Sequence, residues 1–219
     1  MTVAPVKIWD LPLRLWHWLL VILIAVSWWS GEVGGLTLQY HLWSGYAILT
    51  LLLFRLAWGV AGGEHARFVN FVVGPRRVLA SLGALLNAQP QTYTGHNPLG
   101  GWMVVALLLA LAVQTGTGLF ANDDIINEGP LYAHVSKVMS DRLSGIHTLN
   151  FLILLGLVAL HVLAIGYHRW RKGEHLTSAM ISGAKLLPSD TLAPAPASLW
   201  LAAVLVTASG GIVALIVNL

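Results

Sequence analysis

The chain of 219 residues contains no cysteine. Disulfides, thiolate-bound zinc, iron–sulfur clusters and covalent attachment of a c-type haem are therefore excluded. Charge is also scarce: 10% of residues are Asp, Glu, Lys or Arg, against 57% hydrophobic and a mean hydropathy of +0.74. Soluble domains carry about 25% charged residues, so this chain has too little polar surface to cover itself in water. That rules out an ordinary soluble enzyme, a disordered protein and a nucleic-acid binder. Twelve Lys and Arg against nine Asp and Glu leave a small basic excess. In so apolar a chain such an excess reports loop orientation, not a polyanionic ligand. Ten Trp and nine His are what the sequence has in place of charge.

The apolar residues fall in long runs and show no strand-like alternation. Five runs, at about 13–30, 40–60, 99–120, 145–167 and 198–217, each have the ~20 residues that cross a hydrocarbon core as a helix. Lipid offers the backbone no hydrogen bonds, so helix is the only sensible reading. The first run is too rich in Trp, His and Arg for a signal peptide and lacks a small-residue cleavage site, so it reads as a retained helix. The long loop between the second and third runs holds Gly74-Pro75-Arg76-Arg77, then Val78, Leu82, Leu85 and Leu86 at helical spacing. This predicts an amphipathic helix at the membrane surface. Pro188 to Pro196 reads as a linker, and no internal repeat is evident.

Basic residues set the orientation. Lys7, Arg14, Arg55, Arg67, Arg76, Arg77, Arg169, Arg171, Lys172 and Lys185 fall on one side, and only Lys137 and Arg142 on the other. The asymmetry predicts an N-terminus on the inner, cytoplasmic side of the membrane. The opposite face carries Glu32, Asp123, Asp124, Glu128 and Asp141 and is acidic.

Ionisable residues inside membrane spans are costly and call for a functional hypothesis. His17 lies towards the inner end of the first run, His41 opens the second near the outer surface, His147 opens the fourth, and His161 sits towards its inner end. In an up-down bundle these depths pair His17 with His161 and His41 with His147. The fourteen residues from His147 to His161 amount to about four turns, so both rings share one helix face, ~21 Å apart along the axis. Two stacked haems, each clamped by two imidazoles, fit that length. Gly45 and Gly145 would leave room for a flat ring. Two protein ligands per iron leave no open position, which favours electron transfer over oxygen chemistry.

Other residues allow more than one reading. A single membrane histidine is more often an interhelical hydrogen-bonding group than a ligand, and His168 rivals His161 as inner ligand. Arg55, and less directly Arg14 beside Asp10, are candidates to meet a haem propionate. Trp9, Trp16, Trp18, Trp28, Trp29 and Trp43 read as interfacial belt residues. Gln114-Thr115-Gly116-Thr117-Gly118 reads as close helix packing, with a cofactor-facing role as the alternative. His65, His96, His134 and His175 read as solvated loop residues.

Several motifs together resemble the bacterial cytochrome b561 and Ni–Fe hydrogenase b-type cytochrome family. They are Ile8-Trp9-Asp10-Leu11-Pro12-Leu13-Arg14-Leu15-Trp16-His17-Trp18, Gly63-Glu64-His65-Ala66-Arg67-Phe68, His96-Asn97-Pro98-Leu99-Gly100, and Thr117-Gly118-Leu119-Phe120 with Asp123-Asp124. Met180-Ile181-Ser182-Gly183-Ala184-Lys185 closes a resemblance covering about residues 5 to 186. It implies an all-α transmembrane bundle of four helices over residues 1–187, holding two haem b groups on His17, His41, His147 and His161. A linker (188–197) and a fifth, additional transmembrane helix (198–219) follow. The implied function is an electron-transfer subunit of an oxidoreductase in the respiratory chain. It would pass electrons between the quinone pool and a periplasmic c-type cytochrome, hydrogenase or other dehydrogenase. Membrane lipid and a quinone are expected companions, nucleic acid is not, and the oligomeric state is open. Two rivals stand beside this reading: a haem-free membrane anchor, and a free-standing quinone-linked oxidoreductase acting on a small oxidant such as superoxide.

Overall fold

The computed structural model describes residues 2–86, 93–125 and 127–219 and is mostly helical. The helices are α1 (Leu11–Val33), α2 (Leu38–Ala61), α3 (Phe68–Phe71), α4 (Pro75–Leu86), α5 (Pro98–Gly118), α6 (Lys137–Lys172), α7 (Leu176–Ser182) and α8 (Leu199–Ile216). Of these, α1, α2, α5, α6 and α8 are long and apolar enough to cross a membrane. They match the five runs to within a few residues, except that α6 begins at Lys137. His147 therefore lies well inside α6 and does not open it, as the hydropathy had implied. Helix α4 matches the expected amphipathic segment, with the side chains of Leu85 and Leu86 outside the described set.

Local chemistry sets the helix boundaries. Asp10 caps α1, its Oδ1 accepting the Leu13 backbone N–H at 2.7 Å. Asn97 does the same for α5 through Gly100 N–H at 2.6 Å, with Pro98 in the first helical position. Ser198 caps α8 through Leu201 N–H at 3.2 Å. Each cap satisfies a donor that the first turn would leave unpaired. Gly34 and Gly35, both at positive φ, end α1 in a turn that a β-carbon would oppose. Arg169, Arg171 and Lys172 close α6, where cations meet the negative end of the helix dipole.

One element was not foreseen. Strands β1 (Val3–Lys7) and β2 (Ala184–Pro188) form an antiparallel pair, with Val3 opposite Pro188 and Lys7 opposite Ala184. Val6, Ile8 and Leu187 form a small core beside Trp9. The strands are five residues each with one buried residue apiece, too short a pattern to stand out beside the apolar runs of the spans. Gly183, at φ 85°, reverses the chain between α7 and β2, and its carbonyl accepts the N–H groups of Ile8 and Trp9 at 2.7 and 3.1 Å.

The chain divides into two compact units whose boundaries fall within the long helices. The first comprises residues 1–15, 56–106 and 157–202, the second residues 16–55, 107–156 and 203–219. The first contains the β pair, α3, α4 and α7, and buries Trp58 completely, its indole N–H donating towards the Asp10 carboxylate at 3.3 Å. The second buries Leu20, Ile48, Leu52, Phe54, Leu108, Leu111, Leu154 and Val213.

Candidate functional site

Within the second unit, α2 and α6 bring His41 and His147 together. Their ring centroids are 6.0 Å apart, with the planes at 72°. His41 donates from Nδ1 to the Ser27 carbonyl at 2.8 Å, and His147 donates from Nδ1 to the Gln114 carbonyl at 2.9 Å. A carbonyl oxygen can only accept, so both rings carry their hydrogen on Nδ1. Each Nε2 is left with its lone pair, the form in which imidazole ligates a metal while a second hydrogen bond fixes its orientation. Two imidazoles bound to one metal through Nε2 at about 2.0 Å would hold their centroids about 6 Å apart. The observed separation fits a bis-histidine iron.

Glycines let the rings reach this position. A β-carbon on Gly31 would stand 2.9 Å from His41 Nδ1, and one on Gly118 would stand 3.0 Å from the His147 ring. Gly45, anticipated as room for a flat ring, faces open space and lines a cavity of about 270 Å³ that both histidines share. Ile24, Trp28, Tyr46, Leu111, Phe151 and Leu154 give that cavity mainly apolar walls, suited to a porphyrin. Gly145 also faces open space but does not line it.

Behind His147 stands a support that sequence reasoning missed. Buried Asn150 donates to the Ala110 carbonyl at 2.9 Å and to Gln114 Oε1 at 2.7 Å, and Gln114 presents its own carbonyl to His147. Thr117 Oγ1 lies 3.3 Å from His147 Nδ1. Gln114, Thr117 and Gly118 thus pack against the imidazole, as close helix packing would have them, and Gln114, Thr115 and Gly118 also line the cavity. Asn150 follows His147 by three residues on α6, the spacing at which helical side chains share a face. That spacing was the signal available.

His17 lies in the second unit, with its ring edge-on to Trp18 at 5.0 Å. His161 lies half-buried in the first unit. The rival His168 is buried, with Nδ1 3.3 Å from Glu174 Oε2 and Nε2 3.5 Å from Asn97 Nδ2. Both its nitrogens face protein partners, which suits a structural role. Arg55 is 1% exposed, with its guanidinium carbon 5.6 Å from the centre of the Trp16 ring. Arg14 donates to the Ile181 carbonyl and so ties α1 to the end of α7. Trp28, Trp29 and Trp43 are exposed as belt residues would be. Trp9 packs on His96 with centroids 4.7 Å apart, so neither ring is simply solvated.

Five membrane-length helices and an imidazole pair with free Nε2 atoms define a multi-pass membrane protein equipped to hold b-type haem. The chain belongs to the prokaryotic cytochrome b561 family, whose family model matches residues 8–183. It is therefore a membrane cytochrome b of electron transport. A "Probable Ni/Fe-hydrogenase B-type cytochrome subunit" of Azotobacter chroococcum mcd 1 is 25% identical over 84% of this chain and 90% of its own length. Proteins of the same description from Rhizobium leguminosarum bv. viciae (25%, over 83% and 89%) and Cupriavidus necator (24%, over 80% and 85%) are similar. No solved structure matches the chain.

Proposed function

We propose that this chain is a diheme cytochrome b that carries electrons across the bilayer between the quinone pool and a periplasmic redox partner. The observation that carries this reading is the His41–His147 pair, with Nδ1 of each ring committed to a backbone carbonyl. His41 and His147 hold one haem and His17 and His161 the other. Haem b supplies reversible one-electron iron chemistry when bound. The protein orients each imidazole through a carbonyl, lines the outer site with apolar side chains that exclude water, and presents Arg55, and secondarily Arg14, to propionate charge. Helix α6 is unbroken from Lys137 to Lys172, which supports two sites on one helix at the ~21 Å stagger of four turns.

The partner class follows from charge and from the relatives. Lys137 is paired with Asp124 and Asp141, each at 2.5 Å, so Arg142 is the remaining base of the expected outer surface. An acidic surface of this kind steers a basic electron-carrier face towards it. The relatives are described as subunits of a Ni/Fe-hydrogenase, which favours a hydrogenase or similar dehydrogenase as partner.

Reduced-minus-oxidised visible spectra of the purified protein, with haem quantified per chain, test the reading. Two low-spin b haems per chain are expected. A haem-free folded protein would establish the anchor reading instead, and a single haem would reject the diheme assignment.

A further inference from the structure

The first unit is strongly basic: it carries nine Lys and Arg against four Asp and Glu, while the second carries three against five. Two of the four acids are already engaged, Asp10 with the Leu13 N–H and the Trp58 indole, and Glu174 with His168. Much of the basic excess meets at one end of α5. Trp102, one turn into that helix, donates its indole N–H to the Val73 carbonyl at 2.8 Å, just before α4. Gly101 lets the same segment come close, since a β-carbon there would stand 2.7 Å from the Phe71 carbonyl oxygen. Asn97, the cap of α5, reaches His168 near the end of α6 at 3.5 Å. The start of α4, with Arg76 and Arg77, and the end of α6, with Arg169, Arg171 and Lys172, thus share the level at which α5 begins.

That level is where a membrane span meets water, and the exposed side chains have the matching composition. On α4, Leu79 and Leu82 follow Arg76 at three-residue intervals and all three are exposed, whereas Val78 and Ser81 are half-buried. A leucine row ending in an arginine places apolar atoms among acyl chains and a cation among headgroups. At the end of α6, Trp170 is 86% exposed between Arg169 and Arg171, the pairing of aromatic and cation that anchors a span at the interface. Arg169 is taken up by His175, but Arg76 and Arg171 form no ion pair among the described residues. A guanidinium in that setting recognises a phosphate by two parallel hydrogen bonds. A free anion would use the arginines and leave the leucines in water. An anionic phospholipid uses both.

We propose that the exposed face of α4, together with the end of α6, is a docking surface for anionic phospholipid, with Arg76 and Arg171 meeting the headgroup phosphate and Leu79 and Leu82 the acyl chains. The full-length, haem-loaded protein in dodecyl maltoside provides the test. Dioleoyl phosphatidylglycerol or dioleoyl phosphatidylcholine is added, and bound lipid is counted by native mass spectrometry. The wild type should retain phosphatidylglycerol in preference to phosphatidylcholine. Arg76→Gln and Arg171→Gln should each lower that preference about fivefold, the effect of one basic residue near an anionic surface. Leu79→Asn should weaken both lipids alike, and Arg142→Gln, in the second unit, should leave the preference unchanged. All four positions are exposed, so the variants should keep the fold, and haem content with the dithionite-reduced spectrum checks it. A wild type without the preference would overturn the proposal. So would an equal drop in Arg142→Gln, which would make net charge the sole cause. Displacement of phosphatidylglycerol by millimolar inorganic phosphate, with Leu79→Asn binding as the wild type does, would reduce the surface to a site for a small anion. Binding of polyglutamate that is lost in Arg76→Gln, without any lipid preference, would assign the face to an acidic protein instead.

Discussion

Gly31 and His41 stand so close that a β-carbon on the glycine would lie 2.9 Å from the imidazole Nδ1. The glycine belongs to α1 and the histidine to α2, so the contact sets where the ring sits as well as which atom it presents. Gly31→Ala should push the ring off the Ser27 carbonyl. Overpacking of this kind costs about 1–3 kcal/mol, which corresponds to roughly tenfold weaker haem retention at this site. Haem content after dilution or mild detergent challenge measures it. Retention equal to the wild type would show that the ring can move without loss.

Ligand pairing predicts grouped losses. His41→Ala and His147→Ala should each remove or disrupt the same haem, and His17→Ala and His161→Ala the other. Each single variant should keep one low-spin bis-histidine haem. His168→Ala should keep both haems while losing about 1 kcal/mol of stability, because it removes the partner of half-buried Glu174 and Asn97. Haem counts and low-spin electron paramagnetic resonance signals across the five variants decide the matter. Losses that group His17 with His147 would reject the pairing, and full haem content in His161→Ala would transfer the inner ligand role to His168. Where a variant fails to assemble, His→Met retains a ligand and serves as the probe.

The Asn150 amide should matter through His147. Asn150→Leu removes the donor to Gln114 Oε1 and to the Ala110 carbonyl. Interhelical hydrogen bonds in membranes contribute about 0.6 kcal/mol on average and up to about 1.7, so the stability loss should be about 1 kcal/mol. A shift in the midpoint potential of the His41–His147 haem, with the other haem unmoved, would accompany it. A stability loss without any change in potential would make Asn150 a packing residue only.

Acid stability should depend on Glu174. The hydrogen bond from His168 holds the Glu174 carboxyl below its ordinary pKa. Such a group adds stability above its unfolded value, about 4.3, and that stability is lost as the pH falls through the lower folded value. Between about pH 6 and pH 3 the melting temperature of the wild type should therefore fall more steeply than that of Glu174→Gln. Parallel curves would remove the pair from the acid response.

Orientation is testable without purification. A reporter fused after Asp124 should be active only on the periplasmic side, because nearly all the Lys and Arg lie on the other face. Cytoplasmic activity would invert the topology and with it the assignment of inner and outer sites.

The sequence alone determined the membrane class, the five spans, the absence of thiol chemistry and the candidate histidines. These depend on quantities carried by local composition: run length against bilayer thickness, helical periodicity, and the cost of a charge in lipid. Even the caps at Asp10, Asn97 and Ser198 are local, since each bonds to a backbone group three residues on. Only the tertiary structure decided that His41 and His147 meet at 6.0 Å. It also decided that Gly31 and Gly118, not Gly145, make room for them, that both nitrogens of His168 face protein partners, and that β1 pairs with β2. Those outcomes join residues from 6 positions apart, His168 and Glu174, to 185, Val3 and Pro188, most of them on different elements. A contact between elements depends on how helices and strands dock, and no local pattern encodes it.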